Sequence, residues 1–298
     1  MGIDWLMALS GLGVGFIVGL TGMGGGALMT PILVLLFNVP PLQAVSSDIV
    51  ASMVMKPIGG GVHLKKGTVN LRLVGWLVLG SVPAAFLSVW ALQQFADPEK
   101  VNDVVQYAVG VALLLASLGL AAKGAFSGRR GADDTAVRTV SVRPVRTVAI
   151  GLFGGVMVGL TSVGSGSLMM VLLLLLYPAL SSKQLVGTDL VQAIPLVAAA
   201  AIAHVFFGEV QFGITGALLI GAIPGVYLGA HVSSRAADHV IRPILAVVLI
   251  VSGLKMLHAP NVAVAAVALA LGALATVMIV RSPSEPGRAD VQVQPAID

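Results

Sequence analysis

The sequence predicts an all-α polytopic membrane protein made of two inverted-topology repeats of about five hydrophobic segments each, with broken or half-length helices at glycine-rich motifs. Three observations predict it. Hydrophobic residues make up 57% of the 298 and charged residues 10%, against about 25% charged in a soluble domain that must coat itself for water. Apolar runs of about 18 or more residues recur along the chain, long enough to cross a hydrocarbon core. A glycine-rich motif then occurs twice, at Gly19 and again at Gly159, an offset of 140.

Apolar segments run at 4–21, 25–38, 41–62, 71–95, 100–123, 146–160, 165–177, 182–205, 211–233, 239–258 and 262–281. The segments after Gly24 and after Ser165 are short. At about 1.5 Å per residue they fall below the roughly 20 residues of a perpendicular span, so they read as half-helices. The first segment, opening MGIDWLMALS, has neither a basic n-region nor a small-residue cleavage site, and is expected to be a membrane segment rather than a removable signal. The expected divisions are a first transmembrane repeat over 1–123, a cytoplasmic linker over 124–145, a second, inverted repeat over 146–258, an extra transmembrane helix over 259–281 and a disordered cytoplasmic tail over 282–298. The linker stretch GAFSGRRGADDTAVRTVSVRP and the Pro-rich, charged tail are polar enough to stay in water.

The repeat extends well beyond the glycines. GLTGMGGGALM at Gly19 returns as GLTSVGSGSLM at Gly159, and VSSD ending at Asp48 returns as VGTD ending at Asp189. After that single inserted residue the register holds: His63 falls on His204, Gly67 on Gly208, Asn70 on Gln211, Gly80 on Gly221 and Pro83 on Pro224. Five segments per half is an odd number. The second half must therefore enter the bilayer upside down relative to the first, the arrangement of secondary transporters whose sites lie where the repeats meet.

Charge tests this independently. KKGTVN with Arg72 reads as a cytoplasmic loop, whereas its mate FFGEVQ carries Glu209 and no basic residue. Arg129, Arg130, Arg138, Arg143 and Arg146 place the linker inside, Asp97 and Glu99 read outside, and Arg235 with Arg242 read inside. One topology satisfies all of them: N-terminus out, linker in, C-terminus in. The net charge of +4 thus orients the chain and implies no nucleic-acid partner. The absence of cysteine excludes disulfides, thiolate metal sites and cysteine nucleophiles. No cofactor and no metal are expected.

In lipid every backbone amide must be satisfied internally, so a glycine-rich break is tolerable only where protein or a polar cavity surrounds it. Half-helices starting at Gly24-Gly25-Gly26 and at Gly164-Ser165-Gly166-Ser167 would present unpaired N–H groups and the positive end of a helix dipole. Glycine at Gly22 to Gly26 lets backbone approach a ligand, and Thr21, Thr161, Ser165 and Ser167 add hydroxyls. The expected ligand is a small anion. Gly11, Gly15 and Gly19, spaced by four, fit helix crossing instead.

Ionisable residues within apolar segments cost roughly 2.5 to 3.5 kcal/mol each to insert, which marks Asp48, Asp189, Lys56 and His204. Asp48 and Asp189 are repeat mates, and are either proton carriers or braces that hold the breaks open. Lys56, whose mate is Val197, is either the full positive charge for an anion or a partner of Asp48 on the same helix face. His204 is either a proton relay or structural, while His63, beside Lys65 and Lys66, is expected at the interface. Gln192, Ser46 and Ser47 either line the cavity or join helices.

Together these stretches resemble the sulfite exporter TauE/SafE family of bacterial membrane transporters. The resemblance is carried by GLTGMGGGALMTPIL, VSSD, KKGTVN and SVPAAFLSVWA and by their echoes GLTSVGSGSLM, VGTD and AIPGVYLGAHVS, and it extends to about Leu257. It implies movement of an anionic sulfur or carboxylate compound across the cytoplasmic membrane, coupled to the proton gradient. The second motif departs from the first at Gly164-Ser165-Gly166, and the segment after Asn261 lies outside the repeat. The leading expectation is a secondary transporter working by alternating access, with an anion channel using the same cavity as the alternative. An intramembrane serine hydrolase using Ser165 or Ser167 with His204 is disfavoured, because the first-half equivalents are Gly25 and Ala27.

Overall fold

The computed structural model describes residues 4–21, 25–65, 67–127, 140–166, 168–232 and 238–281. Among them it contains eleven helices and no strand: α1 Trp5–Thr21, α2 Gly26–Leu35, α3 Pro41–Lys65, α4 Leu71–Phe95, α5 Val101–Ser127, α6 Pro144–Thr161, α7 Leu168–Leu176, α8 Ser182–Phe207, α9 Phe212–Val232, α10 Asp238–Met256 and α11 Asn261–Arg281. Each helix falls on one apolar segment of the sequence. The two short segments stay short, 10 residues in α2 and 9 in α7, which at the helical rise is about half of a 30 Å hydrocarbon core. The tail, the linker stretch 128–139 and the basic residues Lys66, Arg129, Arg130, Arg138 and Arg235 lie outside the described residues.

Local chemistry sets several boundaries. Asn70 caps α4 by accepting from the Leu73 N–H, and Ser181 with Gln184 forms a capping box at the start of α8. Both devices satisfy amides that the first turn leaves without intrahelical partners.

Polarity is arranged for lipid. Among the described residues five helices are long and apolar enough to cross a membrane, within α4, α5, α6, α8 and α9. Their outer faces carry large apolar side chains such as Leu79, Leu118 and Ile220, whereas Ser46, Ser47, Asp48, Thr188 and Gln192 are completely buried. A soluble protein puts these classes the other way round. The described residues form an all-helical, multi-pass membrane protein.

Glycine lets two helix pairs approach backbone to backbone. A Cβ placed at Gly15 of α1 would lie 2.5 Å from the Ala222 carbonyl oxygen of α9, and one at Gly159 of α6 would lie 2.7 Å from the Ala85 carbonyl oxygen of α4. Along the first pair Ala8, Leu12 and Phe16 meet Gly221, Gly225 and Gly229, and along the second Gly151, Gly155 and Gly159 meet Leu77, Ser81 and Ala85. Numbers rise together in each pair, so the paired helices run parallel. The crossing role read for Gly11 and Gly15 is the one observed.

Hydrogen bonds fix which helix ends lie together. The Arg143 N–H before α6 donates to the Tyr177 hydroxyl after α7 at 2.8 Å, so α6 and α7 double back as a hairpin. At the start of α3, Leu42 N–H donates to Asn102 of α5 and Gln43 donates to Glu209 beyond α8. The Gln211 N–H ahead of α9 donates to Ser47 Oγ, and the Asn70 N–H ahead of α4 donates to Thr188 Oγ1, both at 3.1 Å.

Candidate functional site

The two breaks touch. Gly26, the first residue of α2, packs so closely on Ser162, the residue that ends α6, that a Cβ there would run into the Ser162 carbonyl and hydroxyl. Gly25 precedes it as the helix cap with an ordinary helical backbone and no side-chain cap bond. The second break is the more contorted one. Ser162 is left-handed at φ 59°, Gly164 sits at φ 124° and Gly166 at φ 106°, regions that a side chain rarely tolerates.

Lys56 enters this contact from α3. Its Nζ donates to Ser165 Oγ at 2.7 Å, with both side chains buried. The carboxyl groups of Asp189 and Asp48 both lie within electrostatic range of Lys56. Asp48 lies eight residues before Lys56 on the same helix, about 12 Å along its axis, and its Oδ2 accepts from Thr30 Oγ1 of α2 at 3.0 Å. The Ser162 hydroxyl also lies against the Asp48 carboxyl. Asp189 accepts from Gln192 Nε2 at 3.1 Å, one turn along α8.

Other candidate residues make hydrogen bonds to the backbone and to neighbouring helices. Thr161, fully buried, donates to the Met157 carbonyl and accepts from the Val163 N–H, so its hydroxyl braces the break. Thr21 donates to the Ile17 carbonyl at 2.8 Å. His204 Nε2 donates to the Gly159 carbonyl at 2.8 Å, leaving Nδ1 to accept from Ser46 Oγ, which itself accepts from the Glu209 N–H. A neutral imidazole satisfies every one of these partners. Ser165 therefore faces Lys56, and His204 faces Ser46. Gly22, Gly24 and Ser167 lie outside the described residues.

Thr30 and Ser162 were not legible as site residues. Thr30 sits one turn into the half-helix in TPIL, a hydroxyl at helical spacing from Gly26, and that spacing is the signal that could have found it. Ser162 gave none, because its first-half mate is Gly22.

The sequence profile of the family described as "Sulfite exporter TauE/SafE" matches residues 7–256. A Bacillus subtilis (strain 168) protein named "Probable membrane transporter protein YjnA" is 36% identical over 250 residues, 84% of this chain and 98% of its own. Two further proteins of that organism, "Probable membrane transporter protein YdhB" and "Probable membrane transporter protein YunE", are each 24% identical, over 82% and 85% of this chain and 96% and 97% of theirs. No solved structure matches the chain. A family match across most of the chain, a fold of buried polar and lipid-facing apolar surfaces, and relatives named as membrane transporters agree on the class: the chain belongs to the sulfite exporter TauE/SafE family and is a membrane transporter rather than an enzyme.

Proposed function

We propose that this transporter is a proton-coupled secondary carrier that moves a small sulfur-containing or carboxylic anion across the bacterial cytoplasmic membrane by alternating access. The observation that carries the reading is the bond from Lys56 to Ser165, which brings a full positive charge from α3 onto the glycine break that follows α6. An ammonium held at a break, with first-turn amides nearby, is suited to a solute of negative charge. Its partner Ser165 is exchangeable, since an anion's oxygen can accept the same N–H.

The two-fold organisation supports alternating access. We read 1–123 and 146–258 as inverted halves, with 124–145 and 282–298 cytoplasmic and 259–281 an added helix. The packing partners suit that reading: α1 of one half lies on α9 of the other while α6 lies on α4, and the bonds Ser47 to Gln211 and Thr188 to Asn70 join matched residues. Two such halves can exchange roles while the central contact between the breaks stays fixed. The amides that meet the substrate would come from the starts of α2 and α7, with Gly25, Gly26, Gly164 and Gly166 giving access to backbone.

Purified protein melted with sulfite, thiosulfate, taurine, sulfoacetate and short carboxylates, followed by flux of the stabilising anions into proteoliposomes, tests the reading. Saturable uptake that rises with an inward proton gradient is expected. Unitary current in planar bilayers would establish a channel instead, and no stabilisation by any anion would remove the anion reading.

A further inference from the structure

We propose that Asp48 is the proton carrier of this transporter, taking up one proton at its free carboxyl oxygen for each monoanion carried and releasing it on the other side. The inference rests on the anion-transport reading above and names the group that couples it.

Asp48 is fully buried in α3. Its Oδ2 accepts from Thr30 and its Oδ1 has no hydrogen-bond partner among the described residues. A carboxylate oxygen buried without a hydrogen bond is an unsatisfied acceptor, and a proton placed there removes its charge. The position gives that proton mechanical consequences. Thr30 belongs to α2, which grows out of the first break, and Ser162 opens the second, so one carboxyl adjoins both interruptions. Protonation turns Oδ1 from an acceptor into a donor at the contact where the breaks meet.

What sets Asp48 apart from the other buried ionisable groups is the element its partner comes from. Asp48 accepts from the half-helix α2, whereas Asp189 accepts from Gln192 on its own helix, Lys56 donates to Ser165, and the hydrogen bonds of His204 are those of a neutral ring. Around Asp48 the facing groups can be enumerated by element. Lys56 of its own helix, the neutral Thr30 of α2 and the neutral Ser162 of α6 act on it directly. Of the helices packed on α3, α8 carries Asp189, which acts on Lys56, and His204, which bonds Ser46, and α9 brings the neutral Thr215, which donates to the Ser47 carbonyl. On α5 the acidic Asp103 is exposed at the helix start.

Charge balance motivates the ratio. With both carboxyls and the lysine ionised the centre sums to −1, and a monoanion would take it to −2. One proton on Asp48 restores −1, so anion and proton enter together and leave together. A centre deep in a membrane disfavours the doubly negative alternative.

The test uses the full chain in proteoliposomes with sulfite and methanesulfonate, the second a monoanion at every pH used, as probes, measuring counterflow exchange at several pH values and net uptake driven by a pH gradient. Wild type should exchange at least one probe and concentrate it. In Asp48→Asn, exchange should lose its pH dependence and the accumulation ratio should fall to one, a loss of concentrating power out of proportion to any slowing of exchange. Asp48→Glu should restore accumulation to within about threefold of wild type. Should Asp48→Asn fail to fold, infrared difference spectra of wild type and Asp48→Glu with and without the probe decide the matter: a protonated-carboxyl band that changes with the anion and shifts in Asp48→Glu is expected. Accumulation surviving in Asp48→Asn, or no such band in wild type, overturns the proposal while leaving anion transport standing. Wild type that moves neither probe and melts unchanged with both overturns the anion reading and this inference together.

Discussion

Lys56 Nζ and Ser165 Oγ lie 2.7 Å apart across 109 positions of sequence, joining a helix of the first half to the interrupted span of the second. The first-half mate of Ser165 is Gly25 and the second-half mate of Lys56 is Val197, so neither end of this bond has a twin. The sequence repeat thus leaves the Lys56 charge without a counterpart. Lys56→Met should weaken binding of the stabilising anion at least tenfold, since a hydrogen bond to a charged group contributes about 1.5–3 kcal/mol. Titration of purified variants checks this. A loss no larger than that of Val197→Met would return Lys56 to a purely structural role.

Neighbouring glycines should respond oppositely. A Cβ at Gly25 meets only Met55 Cε at 3.6 Å and Val18 Cγ2 at 3.7 Å, whereas one at Gly26 collides with backbone of Ser162. Gly25→Ala should therefore stay within about 0.5 kcal/mol of wild type, and Gly26→Ala should lose about 1–3 kcal/mol or more through overpacking. Gly166→Ala, at φ 106°, should cost about 1–3 kcal/mol through backbone strain. Thermal unfolding in detergent separates the three.

Ser47→Ala and Thr188→Val remove matched acceptors from Gln211 and Asn70. Each should lower stability by about 1 kcal/mol, and by similar amounts. Strongly unequal losses would show that the two joints are not energetic equivalents.

His204→Phe leaves the Gly159 carbonyl and Ser46 hydroxyl without their partner. Stability should drop by about 1–3 kcal/mol, while His204→Gln should transport with the pH profile of wild type. A flattened profile in His204→Gln would make the ring a proton relay.

Because the chain contains no cysteine, its sidedness can be mapped on single-cysteine variants without a cleared background. Asp97→Cys and Glu209→Cys should react with a membrane-impermeant maleimide added to intact cells, and Lys65→Cys and Arg146→Cys only after permeabilisation. Labelling of residues 65 and 209 from the same side would dismantle the inverted topology.

Several features were legible because they are local or periodic. Segment length placed α2 and α7 as half-helices, and the spacing of Gly11 and Gly15 announced a close crossing. Partner identity was not. Lys56 and Asp48 share a helix face, which made their pairing one of two readings, but Ser165 comes from another part of the chain and no spacing encodes that approach. Thr161 reads in the sequence as a hydroxyl at the break, and the structure adds that it donates to the Met157 carbonyl one turn back, a partner its own helix supplies.

The sequence by itself determined that this protein lives in a membrane, where its helices lie, and that one pattern is written twice, since hydropathy, length and repetition act along the chain. Only the tertiary structure decided which helices touch, that the two breaks meet at Gly26 and Ser162, and which partner each buried charge holds. The physical reason is range: burial of apolar surface acts residue by residue, whereas a hydrogen bond between distant segments exists only after packing has brought its donor and acceptor within about 3 Å.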